Sequence, residues 1–140
     1  SESRFYFASC SSNNCISPTR TTVQVTINSL PVAEATGINS TCMSNVAANN
    51  GKLVLSKFLS TDQYSYNLGS TYNSSTATAL VTIPANGEIL TGITNPATSQ
   101  TYNIRIVNTA GCLIDRNVTI SRACNNCPPD YCEKPTVTKQ

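Results

Sequence analysis

Apolar and polar residues alternate along most of this chain, and helical spacing is nearly absent. In "TTVQVTIN" the apolar Val23, Val25 and Ile27 alternate with Thr22, Gln24 and Thr26. "FYFAS" opens the chain as an aromatic strand, and "KLVLSKFL" predicts a short apolar strand around Leu53–Leu55. "YSYNL", "TALVTIP", "TYNIRIVN" and "NVTISR" predict four more, the second stopping at Pro84. Thr, Val, Ile and Tyr suit a pleated, half-buried surface. Asn50-Gly51, Asn86-Gly87, Asn95-Pro96 and Ala110-Gly111 supply turn chemistry between the runs. Short strands at this spacing argue for an all-β antiparallel sandwich. Its expected inward face carries Leu53, Leu55, Val81, Tyr102, Ile104, Ile106, Val118 and Ile120.

The first hairpin resembles the last. With Cys15 set against Cys112, Phe5 falls on Tyr102 and Phe7 on Ile104, and "VTI" at Val25–Ile27 matches "VTI" at Val118–Ile120. The insertion between the two matches is even, so the same side chains should face inward in both copies. Residues 1–30 then read as the closing hairpin of one repeat and 31–122 as a complete repeat. Residues 123–140 read as a Cys/Pro-rich junction with the first strand of a following module. Phe5, Phe7, Val23, Val25 and Ile27 are expected to form one apolar face that the 31–122 sandwich does not cover.

Seven cysteines and no histidine stand in 140 residues. That thiol density fits disulfides in an oxidising compartment. The odd count leaves at least one cysteine without a partner in this chain. Ser1–Ser3 lead straight into a strand with no secretion-signal pattern, and no apolar run approaches membrane-spanning length. The expectation is a mature or excised piece of an exported protein. A net charge of +2 with scattered arginines excludes the basic-patch signature of nucleic-acid binding.

"FYFASC…C…SPTRTTVQVTINSLP", "TYNIRIVNTAGC" and "CPPDYC" together resemble the Ig-like repeats of very large surface proteins of Bacteroidota. Those are adhesins and gliding-motility proteins exported by the type IX secretion system. Asn14, where glycine is usual, and the extra Cys10 depart from that pattern. The resemblance covers both hairpins and junctions well and Val46–Gly92 poorly. It implies an Ig-like or fibronectin-III-like sandwich repeat with partial neighbouring repeats at both ends, on a bacterial cell surface. Its partners would be adjacent repeats or identical subunits of the same fibre.

Within the complete repeat Cys42 and Cys112 are expected to pin its start to its last hairpin. Cys10 and Cys15 either pair locally or leave Cys15 for an upstream cysteine. Cys124, Cys127 and Cys132 admit three readings. A zinc site lacks its fourth ligand, a redox site lacks the helix that should follow, and at least one structural disulfide fits best. Catalysis has no histidine base and no Gly-x-Ser-x-Gly elbow to build on, so no enzyme is expected. Asp62, Glu88 and Asp115 stand singly. The one cofactor left open is calcium, on the junction carboxylates Asp130 and Glu133 and nearby carbonyls. Asn39, Asn73 and Asn117 are Asn-x-Ser/Thr acceptors for glycosylation. Tyr64, Tyr66 and Tyr72 are candidates for stacking on surface glycans, against the alternative of core packing. The reading is a non-catalytic spacer or adhesive repeat of a long extracellular fibre. The alternatives are a carbohydrate-binding module of a secreted enzyme and a β-augmented filament subunit.

Overall fold

A computed structural model describes residues 2–12, 15–16, 19–44 and 46–124. Thirteen strands form along it: β1 (Glu2–Ala8), β2 (Ser11–Ser12), β3 (Cys15–Ile16), β4 (Thr21–Ile27), β5 (Glu34–Ile38), β6 (Cys42–Met43), β7 (Val46–Ala47), β8 (Gly51–Ser56), β9 (Gln63–Leu68), β10 (Val81–Thr82), β11 (Glu88–Ile93), β12 (Ser99–Val107) and β13 (Leu113–Ser121). Every strand pairing is antiparallel, and no helix occurs among the described residues.

Two sheets share one core in a sandwich-like arrangement. A four-stranded sheet runs β10-β9-β12-β13, and a three-stranded sheet runs β11-β8-β5. The β12–β13 hairpin has nine paired positions around the Ala110-Gly111 turn, where Gly111 adopts a φ of 78°. Strand alternation sends Tyr102, Ile104, Ile106, Val118 and Ile120 inward, all buried. Leu53 and Leu55 of β8, Ile89 and Ile93 of β11, Tyr64 and Ile83 fill the rest of the core.

The expected inward residues hold except Val81. β10 is a two-residue edge strand, and Val81 stays exposed on it. Ile83, two positions on, is buried in its place.

Two core strands carry no clean alternation. β5 lies in "VAEATGI", whose Ala and Gly favour strands poorly. Packing decides otherwise. A Cβ on Gly37 would stand 2.7 Å from Val118 Cγ1 and 2.8 Å from Ile120 Cδ1. Only a residue without a side chain lets β5 approach β13 this closely. β11 pairs with β8 through register shifts between Glu88 and Leu90 and between Thr91 and Ile93. Gly92, with a φ of 72°, occupies the second irregularity. Ile89 and Ile93 are both buried, but Thr91, midway between them and in phase with both, is exposed, so strict alternation fails along β11.

The first hairpin differs from expectation. β1 and β4 pair with Phe5 opposite Gln24 and Tyr6 opposite Val23. Opposed residues share a face, so Tyr6, Val23, Val25 and Ile27 lie on one side. Phe5 and Phe7 lie on the other. In β12–β13 the residue matching Phe5 is Tyr102, and it pairs with Val118, the match of Val25. The first hairpin is therefore set one residue away from that pattern, which sends its aromatic row to the opposite face. Phe5 and Phe7 are 62% and 66% exposed, and no described residue of either strand is buried.

Burial starts at Pro31 and Ala33 and runs past Arg122 to Cys124. Cys127, Cys132, Asp130, Glu133 and the expected strand near the C-terminus lie outside the described residues.

Ile104 has no solvent exposure. Ile104→Ala should lower unfolding stability by about 2–5 kcal/mol, read from urea denaturation. Gly37→Ala should cost about 1–3 kcal/mol through overpacking, although it raises β-propensity. An unchanged or higher midpoint for Gly37→Ala would contradict the close approach of β5 to β13.

Candidate functional site

The chain reaches the sandwich at one end and leaves it at the other. At the first end, Asn108 Nδ2 in the β12–β13 turn donates to Ser29 O at 2.8 Å, and Cys112 Sγ lies 3.9 Å from Asn28 O. At the opposite end, Cys42 is bonded to Cys124, with Cα atoms 5.6 Å apart across 82 residues of sequence. The local frame there is polar. Thr41 N donates to Asn50 Oδ1, Ala48 N to Thr41 O, and Asn95 Nδ2 to Cys124 O. Closing a loop of this length contributes about 4.5 kcal/mol in the chain-entropy account.

The expected Cys42–Cys112 bridge is not made. Cys112 sits at the turn end of β12–β13 and Cys42 at the far end. Nine strand residues separate those ends by about 26 Å, whereas a bridge needs Cα atoms within about 7 Å. Cys112 is a half-buried free thiol, and Cys10 is an exposed one, so the local Cys10–Cys15 bridge is also not made. Cys124 leaves the expected Cys124, Cys127, Cys132 group to bond Cys42. The bridge fits an oxidising environment. Among the described residues no helix is long and apolar enough to cross a membrane.

The three candidate tyrosines do not form a platform. Tyr64 and Tyr66 are two apart on β9, so both face inward, stacked with ring centroids 6.5 Å apart. Tyr66 also meets Tyr102 edge-on at 6.3 Å. Burial, and secondarily the neighbouring Tyr66, push the Tyr64 and Tyr102 phenols above their ordinary 10.0. Tyr72 lies on the opposite face of the sheet, and Arg105 Cζ stands 3.7 Å over its ring. That guanidinium takes a ring face a sugar would need.

Tyr72 belongs to a loop, residues 69–78, folded back over the outer face of β9, β12 and β13. Beneath it the sheet is polar and buried: Ser65, Asn67 and Asn103. Ser65 Oγ donates to Thr78 O at 2.7 Å and meets Tyr72 Oη at 3.0 Å. Asn67 Nδ2 donates to Thr71 O and its Oδ1 accepts from Asn73 N. Asn103 Nδ2 donates to Asn117 Oδ1 at 2.8 Å, and Asn117 Nδ2 to Ser70 O at 2.9 Å. Arg105 closes the arrangement with paired bonds of 2.8 and 2.9 Å to Asp115. This bidentate bond is the main cause that holds the Asp115 carboxyl below its ordinary 3.8 and raises the guanidinium.

An open recess of about 490 Å³ lies along the loop, lined by Asn67, Tyr72 and Asn73 among others. Asn67 spends its amide on the loop itself, so the arrangement works as a latch.

Of the three acceptor asparagines, Asn117 has its Nδ2 committed to Ser70 O, so a glycan there would break the latch. Asn39 uses only its oxygen, accepting from Ser121 N. Asn73 uses its oxygen on Ser75 N and is exposed in the loop. No group of three or more metal-ligating side chains occurs among the described residues.

The latch escaped sequence reading, although one signal for it was present. Centring the hairpin on the Ala110-Gly111 turn places Asn103 opposite Asn117 and Arg105 opposite Asp115. Comparisons with family models, curated proteins and solved structures find no match for this chain.

Peptide mapping without reductant should recover Cys42 linked to Cys124 and leave Cys10 and Cys112 open to alkylation. A Cys42–Cys112 peptide would overturn the end assignment. For Asp115, a depressed folded pKa means stability present above its ordinary 3.8 and lost as pH falls through the lower folded value. The stability difference between wild type and Asp115→Asn should therefore be flat above about pH 5 and shrink below 3.8. A difference that does not change between pH 5 and 2 would show that the latch carries no ionic contribution.

Proposed function

We propose that this chain is a non-catalytic mechanical spacer, an Ig-like repeat of an extracellular fibre or adhesin on a bacterial surface, with neighbouring repeats joined at its two ends. The observation that carries the reading is the Cys42–Cys124 bridge. Tension applied through residue 30 at one end and beyond Cys124 at the other runs up β5 to Cys42 and crosses the disulfide. It thus bypasses strands β6 to β13, which hold most of the core. Only the residues from about 31 to 41 can be drawn out before the covalent link bears the load.

β5 itself is held along its length. It pairs with β8 from Glu34 to Ile38 and packs against β13 through Gly37. Arg116 Nε donates to Ala33 O, and Ser121 N to Asn39 Oδ1, on either side of that strand. Pulling along a strand bonded on these flanks shears many contacts together, which suits a part that must resist extension. The latched loop adds a second guard, because it covers the otherwise exposed polar face of the larger sheet. The resemblance of the two hairpins to surface-protein repeats agrees with this role.

Single-molecule pulling on the full chain tests it. Without reductant, the residues enclosed by the bridge should never contribute to extension. Reduction should add a further unfolding step of about 280 Å, from the 82 residues of sequence separation. Release of that length without reductant, or at forces too small to resolve, would end the mechanical reading.

A further inference from the structure

Cys124, Cys127 and Cys132 stand close together in the sequence, and Cys42 bonds the first of them. Chain statistics do not favour that choice. Closure probability falls as about the −3/2 power of loop length. Cys124 meets Cys132 across 8 residues of sequence and Cys42 across 82. On length alone the local bridge is ahead by about 30-fold. Nor does length tell Cys124 from Cys132 as a partner for Cys42, since those two closures differ by only about 15%. The folded chain must supply the preference.

A series of asparagine amides runs between the two bonded cysteines. On the Cys42 side, Asn50 holds the preceding residue. Thr41 N donates to Asn50 Oδ1 at 2.8 Å, and Asn50 Nδ2 donates to Thr41 Oγ1 at 3.0 Å. On the Cys124 side, Asn95 holds the exit segment. Its Oδ1 accepts from Ala123 N at 2.8 Å and from Cys124 N at 3.3 Å, and its Nδ2 donates to Cys124 O at 3.1 Å. Asn49 joins the two halves, because its Oδ1 accepts from Asn95 N at 3.1 Å. It does so with a φ of 50°, a left-handed conformation that asparagine adopts more readily than most residues. Arg122 adds to the hold, donating from Nε to Cys124 O at 2.8 Å. Ser121 N donates to Asn39 Oδ1 and Arg122 N to Thr98 O, so every main-chain N–H from Ser121 to Cys124 has a partner.

We infer that this clamp selects Cys124 as the partner of Cys42, with Asn95 as the positioning residue. The inference goes beyond the spacer reading, since it concerns how the bridge is chosen and not the load it bears. Each neutral hydrogen bond is worth a factor of about 5 in an equilibrium. Three of them from Asn95 give about 100-fold, enough to reverse the advantage of the local bridge. The clamp uses no sulfur atom, so it can form before the bridge does. It then presents Cys124 Sγ 3.8 Å from Thr41 O, one residue from Cys42. Asn95 bonds residues 123 and 124 themselves, so it registers Cys124 in particular.

Oxidation needs a small disulfide such as glutathione disulfide as acceptor. One protein thiolate attacks it, breaks its S–S bond and releases one glutathione thiolate. The other protein thiolate then displaces the second and forms the protein S–S bond. The two protein thiols give up two protons and two electrons, and the oxidant leaves as two glutathione thiols.

The test refolds the fully reduced full chain in a glutathione redox buffer and maps its disulfides. Wild type should give Cys42–Cys124 as the main bridge of Cys42. Asn95→Ala should lower that share at least about threefold, with Cys124 recovered on Cys127 or Cys132. Asn95→Asp keeps the acceptor oxygen and loses the donor, so its share should fall between the two. Protected Ile104 and Ile106 amides show that each variant is folded. An Asn95→Ala chain that pairs as wild type does overturns the inference. A second arm leaves Asn95 in place. Cys42→Ser, kept under reductant, should hold hydrogen-exchange protection at Ala123 and Cys124 within about tenfold of the bridged wild type. Loss of that protection would show that the bridge makes the clamp, which also overturns the inference. Neither result alters the load path of the bridged chain, which pulling reads separately.

Discussion

The register of the β12–β13 hairpin governs the rest of the molecule. Nine pairs centred on one turn decide, residue by residue, which side chains go in and which go out. Tyr102, Ile104, Ile106, Val118 and Ile120 become the core wall of the larger sheet. Asn103, Arg105, Asp115 and Asn117 become its outer face. A slip of one residue would exchange the two sets, sending an ion pair and two amides into the core. The cost of burying those groups without partners far exceeds that of any single contact in the domain. Gly37 reads the same register from the other sheet, because its contacts are Val118 and Ile120.

The outer face then explains the latched loop. A row of amide and charged groups on a sheet can stay wet or be bonded by a covering segment. Here residues 69–78 cover it, and nearly every polar group beneath finds a partner. The exception is Asn103 Oδ1, buried without one among the described residues. Arg105 is the joint between sheet and loop, since one planar group serves both the Asp115 carboxylate and the Tyr72 ring. Lysine could not do both. The exposure of the ion pair keeps its own contribution small, so the latch depends on the amide network more than on charge.

Sequence patterning made seven of the strands legible: β1, β4, β8, β9, β10, β12 and β13. It failed where packing or irregularity overrides period two. β5 is built from residues of low strand propensity because a close approach excludes anything larger than glycine at position 37. β11 is interrupted twice in register, and Thr91, in phase between its two core isoleucines, is exposed beside a positive-φ glycine. The disulfide was misread for another reason. Pairing Cys42 with Cys112 assumes that the start of the 31–122 repeat meets its last hairpin at these two cysteines. Which end of the hairpin a cysteine occupies depends on the turn, and Cys112 lies just beyond Gly111. The same turn would have revealed the Arg105–Asp115 pairing, so the larger part of the latch was readable from position alone.

The β1–β4 ribbon remains the least self-contained element. An outer hairpin of a two-layer domain needs one apolar face and one polar one. This ribbon has Tyr6, Val23, Val25 and Ile27 on one side and Phe5 and Phe7 on the other, with only Glu2 and Arg4 forming an ion pair among them. Apolar residues on both faces mean that a single covering layer cannot satisfy it. The contact of Asn108 and Cys112 with residues 28 and 29 fixes where the ribbon attaches, yet its own strands stay exposed throughout. The exposure is two-sided: shielding Tyr6, Val23, Val25 and Ile27 would leave Phe5 and Phe7 on the opposite face as open as before.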